Sequence, residues 1–287
     1  MTDFQNLFDA PPAVRGVWSK KWDYREKETG EADVQPMWIA DMDFETPQAV
    51  KDAVLQRAQL GIYGYTAVDR AYHDAVIAWQ RERHGWEVQE AWFLHTPSVI
   101  FGIQTAVRAL THRNDYVLVQ PPVYHPFFRL LRQTQRRVLE NPLLDRGDHY
   151  DVDWADFEAK LRDYRPKLFA LTAGNAAFRR GAPWLDALRD YLAENRQFAV
   201  EYISAHIPAL RAYQSQGTYF LWLDCRRLGL DDQALEQFFL HKAGIWANQG
   251  HIFGKQGSGF VRLNLALPRA QLAQALERLD QAVAALD

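Results

Sequence analysis

Apolar residues recur at helical spacing through the first half of the chain, with short β-type runs between them. Ala49, Val50, Ala53, Val54 and Ala58 form one stripe. Thr46-Pro47 precedes it as a capping hydroxyl and a first-turn proline, and Gly61 stops it. A second helix is expected from Asp69 to about His84, with Tyr72, Ala75, Val76 and Trp79 on one face. Residues 92–95 read as a short strand. Ser98 then opens a helix carrying Ile100, Ile103, Val107 and Leu110. Tyr116–Val119 is a buried-type strand ended by Pro121-Pro122. Val138-Leu139 and residues 167–172 read as further strands, with a helix over 154–161 between them. Strands alternating with helices predict an α/β unit built on a largely parallel sheet.

After residue 175 the alternation stops. A helical piece from Ala176 and a long helix from Pro183 lead to a strand over 219–224, then a helix from about Asp231, a strand over 260–265 and a last helix from Pro268. Leu272, Ala275, Leu276, Leu279, Ala282 and Val283 form the packed face of that last helix. The order is that of a smaller α+β domain. Residues 1–36 are polar, dotted with aromatics, and read as an irregular arm.

Composition narrows the function classes. The 287 residues are 48% hydrophobic, enough for a large core rather than a disordered chain. A net charge of −3 offers no field to hold nucleic acid or an anionic membrane. Cys225 is the single cysteine, which rules out an intrachain disulfide and fits a cytoplasmic setting. The first residues lack the pattern of a signal peptide, and no apolar run approaches the roughly 20 residues of a membrane span. The ten tryptophans read as packing residues. No HExxH, CxxC, GxSxG or P-loop spacing occurs, so metal ligands and those hydrolase or nucleotide sites are not expected.

Three places carry candidate chemistry. Ser98 stands where a helix N-terminus can hold a phosphate, although simple capping by its hydroxyl is the plainer reading. Tyr124 follows two prolines at the C-terminal end of a strand, where a ring can stack on a flat ligand or merely pack a loop. In the strand over 260–265, Phe260, Arg262 and Asn264 share one face, and Val261, Leu263 and Leu265 the other. Arg262 can fork onto a carboxylate, but from the strand alone the plainer reading is an arginine on the wet face of a sheet.

Taken in order, Met37-Trp-Ile-Ala-Asp-Met-Asp-Phe44, Gly61-Ile-Tyr-Gly-Tyr-Thr66, Pro97-Ser-Val-Ile100, Gln120-Pro-Pro-Val-Tyr-His-Pro-Phe-Phe128, Gly217-Thr-Tyr-Phe-Leu-Trp-Leu-Asp224 and Gly259-Phe-Val-Arg-Leu-Asn-Leu-Ala266 resemble the fold-type I pyridoxal-phosphate enzymes of aminotransferase class I/II. Within that group they are most similar to the PatB/MalY-type cystathionine β-lyases. The resemblance implies an aminotransferase-like α/β large domain and a C-terminal α+β small domain. It places an N-terminal arm and small-domain segment at 1–45, a partial cofactor-binding domain at 46–175 and the small domain at 176–287. By position it assigns Ser98, Val99 and Ile100 to the phosphate turn of pyridoxal 5'-phosphate, and Tyr124 to the ring stack. Tyr65 would reach the neighbouring subunit's phosphate, which implies a homodimer. Arg262 would grip the substrate's α-carboxylate, and Ile39, Ala40 and Asp41 would form a strip over the substrate. The implied activity is β-elimination from cysteine S-conjugates; a class I/II aminotransferase and a non-catalytic, dimerising remnant are the alternatives.

The resemblance has a hole in its middle. The Asn-Pro-x-Gly element, the aspartate that pairs with the pyridine nitrogen and the Ser-x-x-Lys element with the Schiff-base lysine are all missing, and no Ser-x-x-Lys occurs anywhere in the chain. Roughly 100 residues are lost by comparison of landmarks. No catalytic residue is therefore assigned. The loss of central strands is expected to truncate the large sheet and to leave strand edges and apolar helix faces uncovered.

Overall fold

The computed structural model describes residues 4–10, 16–170, 182–213 and 217–286. The N-terminal stretch is more ordered than its polar sequence implies. It holds helices α1 (Phe4–Asp9) and α2 (Arg25–Thr29) and strand β1 (Gln35–Pro36). β1 has only two residues, too few for a period to show, and its partner lies some 210 residues away in sequence.

Helices α3 (Gln48–Leu60), α4 (Arg70–His84) and α5 (Val99–Leu110) follow. The Asp69 carboxylate accepts from the Tyr72 amide at 2.9 Å to start α4, and Gly85, at φ 62°, closes it. Ser98 caps α5 by accepting from the Phe101 amide at 3.2 Å. Thr46 does not cap α3: Pro47 occupies the cap position, and no side chain bonds the helix start. Residues 92–95 do not form a strand. Glu90–Trp92 is one tight helical turn, and the segment after it has no neighbour to complete a ladder.

The parallel sheet is built from β2 (Tyr116–Val119), β3 (Arg137–Glu140) and β6 (Leu168–Phe169), in the order β3-β2-β6. Between them lie α6 (Pro126–Gln133), the hairpin strands β4 (Leu144–Asp145) and β5 (Tyr150–Asp151), and α7 (Trp154–Tyr164). Val117 and Val119 pack with Val107, Leu130 and Leu131 into a local core. β6 is shorter than the run from 167 to 172 implies, and residues 171 and 172 lie outside the described residues, as does the helical piece expected from Ala176. β6 has no strand on its outer side among the described residues. Parallel sheets are normally buried on both faces and flanks, yet Phe169 on this edge is exposed. Nearly all the large apolar side chains exposed among the described residues fall between Met42 and Phe169, and no described residue of α3 is buried. The truncation expected from the sequence therefore has a physical mark on the surface.

The C-terminal half is built differently. α8 (Ala182–His206), β7 (Arg211–Ala212), β8 (Phe220–Asp224), α9 (Asp232–Gln237), β9 (Ile245–Trp246), β10 (Asn248–Gln249), β11 (Phe260–Asn264) and α10 (Arg269–Ala284) surround an antiparallel sheet of order β10-β11-β8-β7. Leu221, Leu223, Val261 and Leu263 project from one face of this sheet and are sealed by Ile203 of α8 and Leu272, Leu276 and Leu279 of α10. Each buried leucine contributes about 1.5–3 kcal/mol of transfer free energy, which makes this the best-built core of the molecule. β1 joins it by parallel pairing with β9.

Candidate functional site

The opposite face of the antiparallel sheet carries the site. Register places Arg262 across from Trp222 and Asn264 across from Phe220, so all four side chains share that face. Arg262 does not lie on a wet surface. Its guanidinium sits 3.9 Å from the Phe220 ring centroid and 4.9 Å from that of Phe253. It donates from Nη2 to the Trp38 carbonyl at 3.0 Å and to Asn248 Oδ1 at 2.5 Å. Its Nε is buried without a partner, and no carboxylate among the described residues pairs with it. Burial pushes its pKa down to about 10. It is still a cation at neutral pH, held among aromatic rings with no counter-ion.

Beside it runs the strip from Trp38 to Asp41, whose four consecutive carbonyls are each taken by a side chain. Arg262 takes that of Trp38. Asn264 Nδ2 donates to Ile39 at 2.7 Å and to Asp41 at 2.9 Å. The Tyr219 hydroxyl donates to Ala40 at 3.0 Å. Lys21 Nζ also donates to Asp41, at 3.0 Å, and forms a buried ion pair with Asp43 at 2.8 Å. These bonds replace the ladder partners that an isolated extended segment lacks.

A cavity of about 590 Å³ opens over Arg262, in the range of small-molecule sites. Phe220, Trp222, Phe253, Tyr124 and Tyr213 give it an aromatic lining, and the β4–β5 hairpin contributes Asp148, His149, Tyr150 and Asp151. The hairpin is fixed to the sheet. Tyr213 donates its hydroxyl to Asp145, Trp222 Nε1 donates to the Tyr150 hydroxyl at 3.1 Å, and the Tyr150 and Tyr213 rings stack at 5.6 Å. Next to the cavity, burial pulls the His125 pKa down, and the charges of Arg262 and Arg129 add to that.

Of the residues singled out in the sequence, Tyr124 and Arg262 line this cavity together. Ile39, Ala40 and Asp41 lie alongside, their carbonyls accepting from Asn264 and Tyr219, but do not line it. Ser98, Val99 and Ile100 stand apart at the start of α5, where Ser98 serves as a cap and Ile100 packs into the parallel-sheet core. Tyr65 is fully exposed. Sequence reasoning missed the hairpin and Lys21. Trp222 lay in a quoted motif, but only strand register reveals that it faces Arg262.

The cavity was tested for fit to pyridoxal phosphate. None of the chain's lysines lines it; Lys21, the nearest to the strip, is committed to Asp43 and Asp41. Among the described residues the only carboxylates in the lining, Asp148 and Asp151, belong to the hairpin and engage His149 and Arg146. A lysine amine and an anion for the pyridine nitrogen are what hold and activate that cofactor. The residues present do not fit a covalently held pyridoxal phosphate.

No known family model matches the chain. Cystathionine beta-lyase PatB of Bacillus subtilis (strain 168) is 28% identical over 384 residues, a match covering 96% of this chain and 99% of that protein. Protein MalY of Escherichia coli (strain K12) is 25% identical over 393 residues and is covered end to end, as is this chain. Both matches run about 100 positions beyond the chain's own length, so the difference is an internal gap. Among solved structures, cystalysin from Treponema denticola, which contains pyridoxal 5'-phosphate, superimposes with a TM-score of 0.85 over 98% of this chain and 99% of that one, at 22% identity. That likeness establishes the fold.

Proposed function

We infer that this chain, a fold-type I pyridoxal-phosphate protein of the PatB/MalY carbon–sulfur lyase type, is the amino-acid-binding frame of such a lyase with its covalent chemistry removed. Pyridoxal phosphate is the cofactor of that enzyme type, and it supplies the electron sink for breaking the carbon–sulfur bond. The observation that carries the reading is Arg262: a half-buried cation with a free Nε, aromatic walls and no carboxylate partner. An incoming α-carboxylate provides the missing charge and accepts the unused N–H groups. Tyr124, Phe220 and Phe253 exclude water from that ion pair and pack the substrate's apolar stem. The tied strip from Trp38 to Asp41 holds one guanidinium N–H in place and so orients the fork. Ser98, Val99 and Ile100 keep their proposed part as a phosphate turn, Tyr65 as a residue reaching a second subunit of a homodimer, and Ile39, Ala40 and Asp41 as a strip beside the substrate. The ranges 1–45, 46–175 and 176–287 are proposed as the units, supported by the separate cores around β2 and around β8 and β11. A cytoplasmic setting is proposed on the lone, buried Cys225.

The test is calorimetric titration with S-benzyl-L-cysteine and with its decarboxylated amine. The amino acid is expected to bind and the amine to bind at least tenfold more weakly, with Arg262→Lys removing most of the difference. Equal binding of the two overturns the reading. In parallel, incubation with pyridoxal phosphate and borohydride is expected to leave the 33.2 kDa chain without a stable, site-specific adduct. Release of pyruvate from cystathionine by the purified chain would restore a catalytic role.

A further inference from the structure

Away from the cavity, two imidazoles meet nitrogen to nitrogen. His73 stands on α4, Glu90 in the tight turn over 90–92, and His95 in the segment that leads to Ser98. His73 Nε2 lies 2.9 Å from His95 Nε2, and His73 Nδ1 lies 2.9 Å from Glu90 Oε1. The two imidazole planes differ by 15°, and their centroids are 5.2 Å apart. That separation is the N···N distance plus one ring radius at each end, so the rings lie edge to edge and the Nε2 atoms point straight at each other. A linear contact of this length is a hydrogen bond with one proton between the nitrogens. The Phe93 ring stacks on His73 at 5.0 Å, and Tyr72 meets both imidazoles at a steep angle. Little else holds the segment. Among the described residues no backbone hydrogen bond joins residues 94–97 to another element, and Leu94 is 92% exposed. Segments with so few ties lie at the low-stability end of a fold.

We propose that His73 and His95 form a pH-sensitive latch that fastens the approach to α5 onto α4 and opens when both imidazoles are cations. Proton counting sets the direction. With Glu90 accepting the His73 Nδ1–H, the neutral pair bonds by His95 donating its Nε2–H to the bare Nε2 of His73. One added proton enters at His95 Nδ1, and the bond survives. A second leaves an N–H on each facing nitrogen, no lone pair between them and two like charges in contact. Imidazoles in general change charge between about pH 5 and 8, so the latch is shut at neutral pH and opens on acidification. Neighbouring charges offer the pair no other partner. On α4, the Asp69 carboxylate accepts from the Tyr72 amide, and Asp74 stands 3.9 Å from Arg70. After α4, Glu87 pairs with Arg81. The turn contributes Glu90, already on His73, and residues 93–107 hold no titratable group besides His95. The latch is separate from the cavity over Arg262, and it stands whether or not that cavity binds an amino acid.

A spin label reads the latch. Cys225, the single cysteine, is buried, and Leu94 is exposed, so Leu94→Cys carries a label beside His95 without disturbing a core. On the full chain the label is expected to tumble at least about twofold faster at about pH 5 than at about pH 7.5, reversibly. In His95→Gln the side-chain amide nitrogen takes the place of Nε2, keeps a donor there and cannot charge, so the label stays restrained at both pH values. In His95→Ala it is mobile at both. On the unlabelled chain, nitrogen-15 spectra are expected to show coupling across the hydrogen bond between the two Nε2 atoms at neutral pH and none at about pH 5. Urea midpoints equal to the parent's report that the variants are folded. A label that ignores pH, a response of the same size in His95→Gln, or no coupling at neutral pH overturns the proposal.

Discussion

Replacing Lys21 by methionine removes a cation from one of the most enclosed positions in the molecule. The side chains of Lys21 and Asp43 are 2% and 5% exposed, and their charged atoms are 2.8 Å apart. Methionine keeps most of the aliphatic bulk, so the change is chiefly electrostatic. The Asp41 carbonyl keeps its bond from Asn264. Asp43 keeps the Trp22 indole N–H on Oδ1 at 2.9 Å, but Oδ2 loses its ion pair. Stranding one member of a buried ion pair costs about 3–5 kcal/mol, a large share of the roughly 5–15 kcal/mol that holds a domain together. Neutralising both members removes the stranded charge, so Lys21→Met/Asp43→Asn is expected to recover at least about 2 kcal/mol of the loss. Urea unfolding followed by tryptophan fluorescence reads the difference as a midpoint shift at constant slope. A single variant costing less than about 1 kcal/mol, or a double variant no better than the single, refutes the claim that this pair is a desolvated clamp.

Two further outcomes follow from features of the surface and the hairpin. Burial pushes the Asp145 carboxyl up, but bonds from Tyr213, the Gly147 amide and Arg226 hold it below the usual range. A carboxyl depressed by folding contributes its stability above its unfolded pKa of about 3.9 and loses it as pH falls through the lower folded value. Amino-acid affinity, which needs the docked hairpin, is expected to collapse on acidification below about pH 4, and Asp145→Asn should weaken it at neutral pH and flatten that acid limb; an unchanged limb would sink the assignment. On α3, Val54→Lys and Leu55→Lys replace exposed apolar side chains. Light scattering should show less self-association with a stability change within about 0.5 kcal/mol, and a larger loss would mean that these residues are packed.

The alternation of residues 260–265 was legible in the sequence because a half-buried strand writes its two faces in period two: Val261 and Leu263 are sealed in the core, and Phe260, Arg262 and Asn264 face the other way. The wet-face reading of Arg262 failed because the rings that cover it, Phe220 and Phe253, come from other elements. Helix starts at Asp69 and Ser98 were legible because capping is local. Residues 92–95 have strand composition and no strand, since a ladder needs a neighbour and composition does not supply one. Lys21 gave no signal at all: it stands in a polar, aromatic-dotted stretch, and only the distant Asp43 and the strip explain its burial. The hairpin carries no motif that the sequence singles out, and it joins the site only because β4 and β5 dock against Tyr213 and Trp222.

The ties between residues 38–41 and β11 also set a timetable for synthesis. Arg262 bonds a carbonyl 224 positions upstream, and Asn264 one that lies 225 positions upstream. At about 5–20 residues per second, the strip leaves the ribosome roughly 10–45 s before its partners exist. For most of that interval α3 is already outside, and among the described residues no later segment buries any of its side chains. A growing chain of this kind is a ready client for a holding chaperone, and slowing translation should lower its soluble yield instead of raising it.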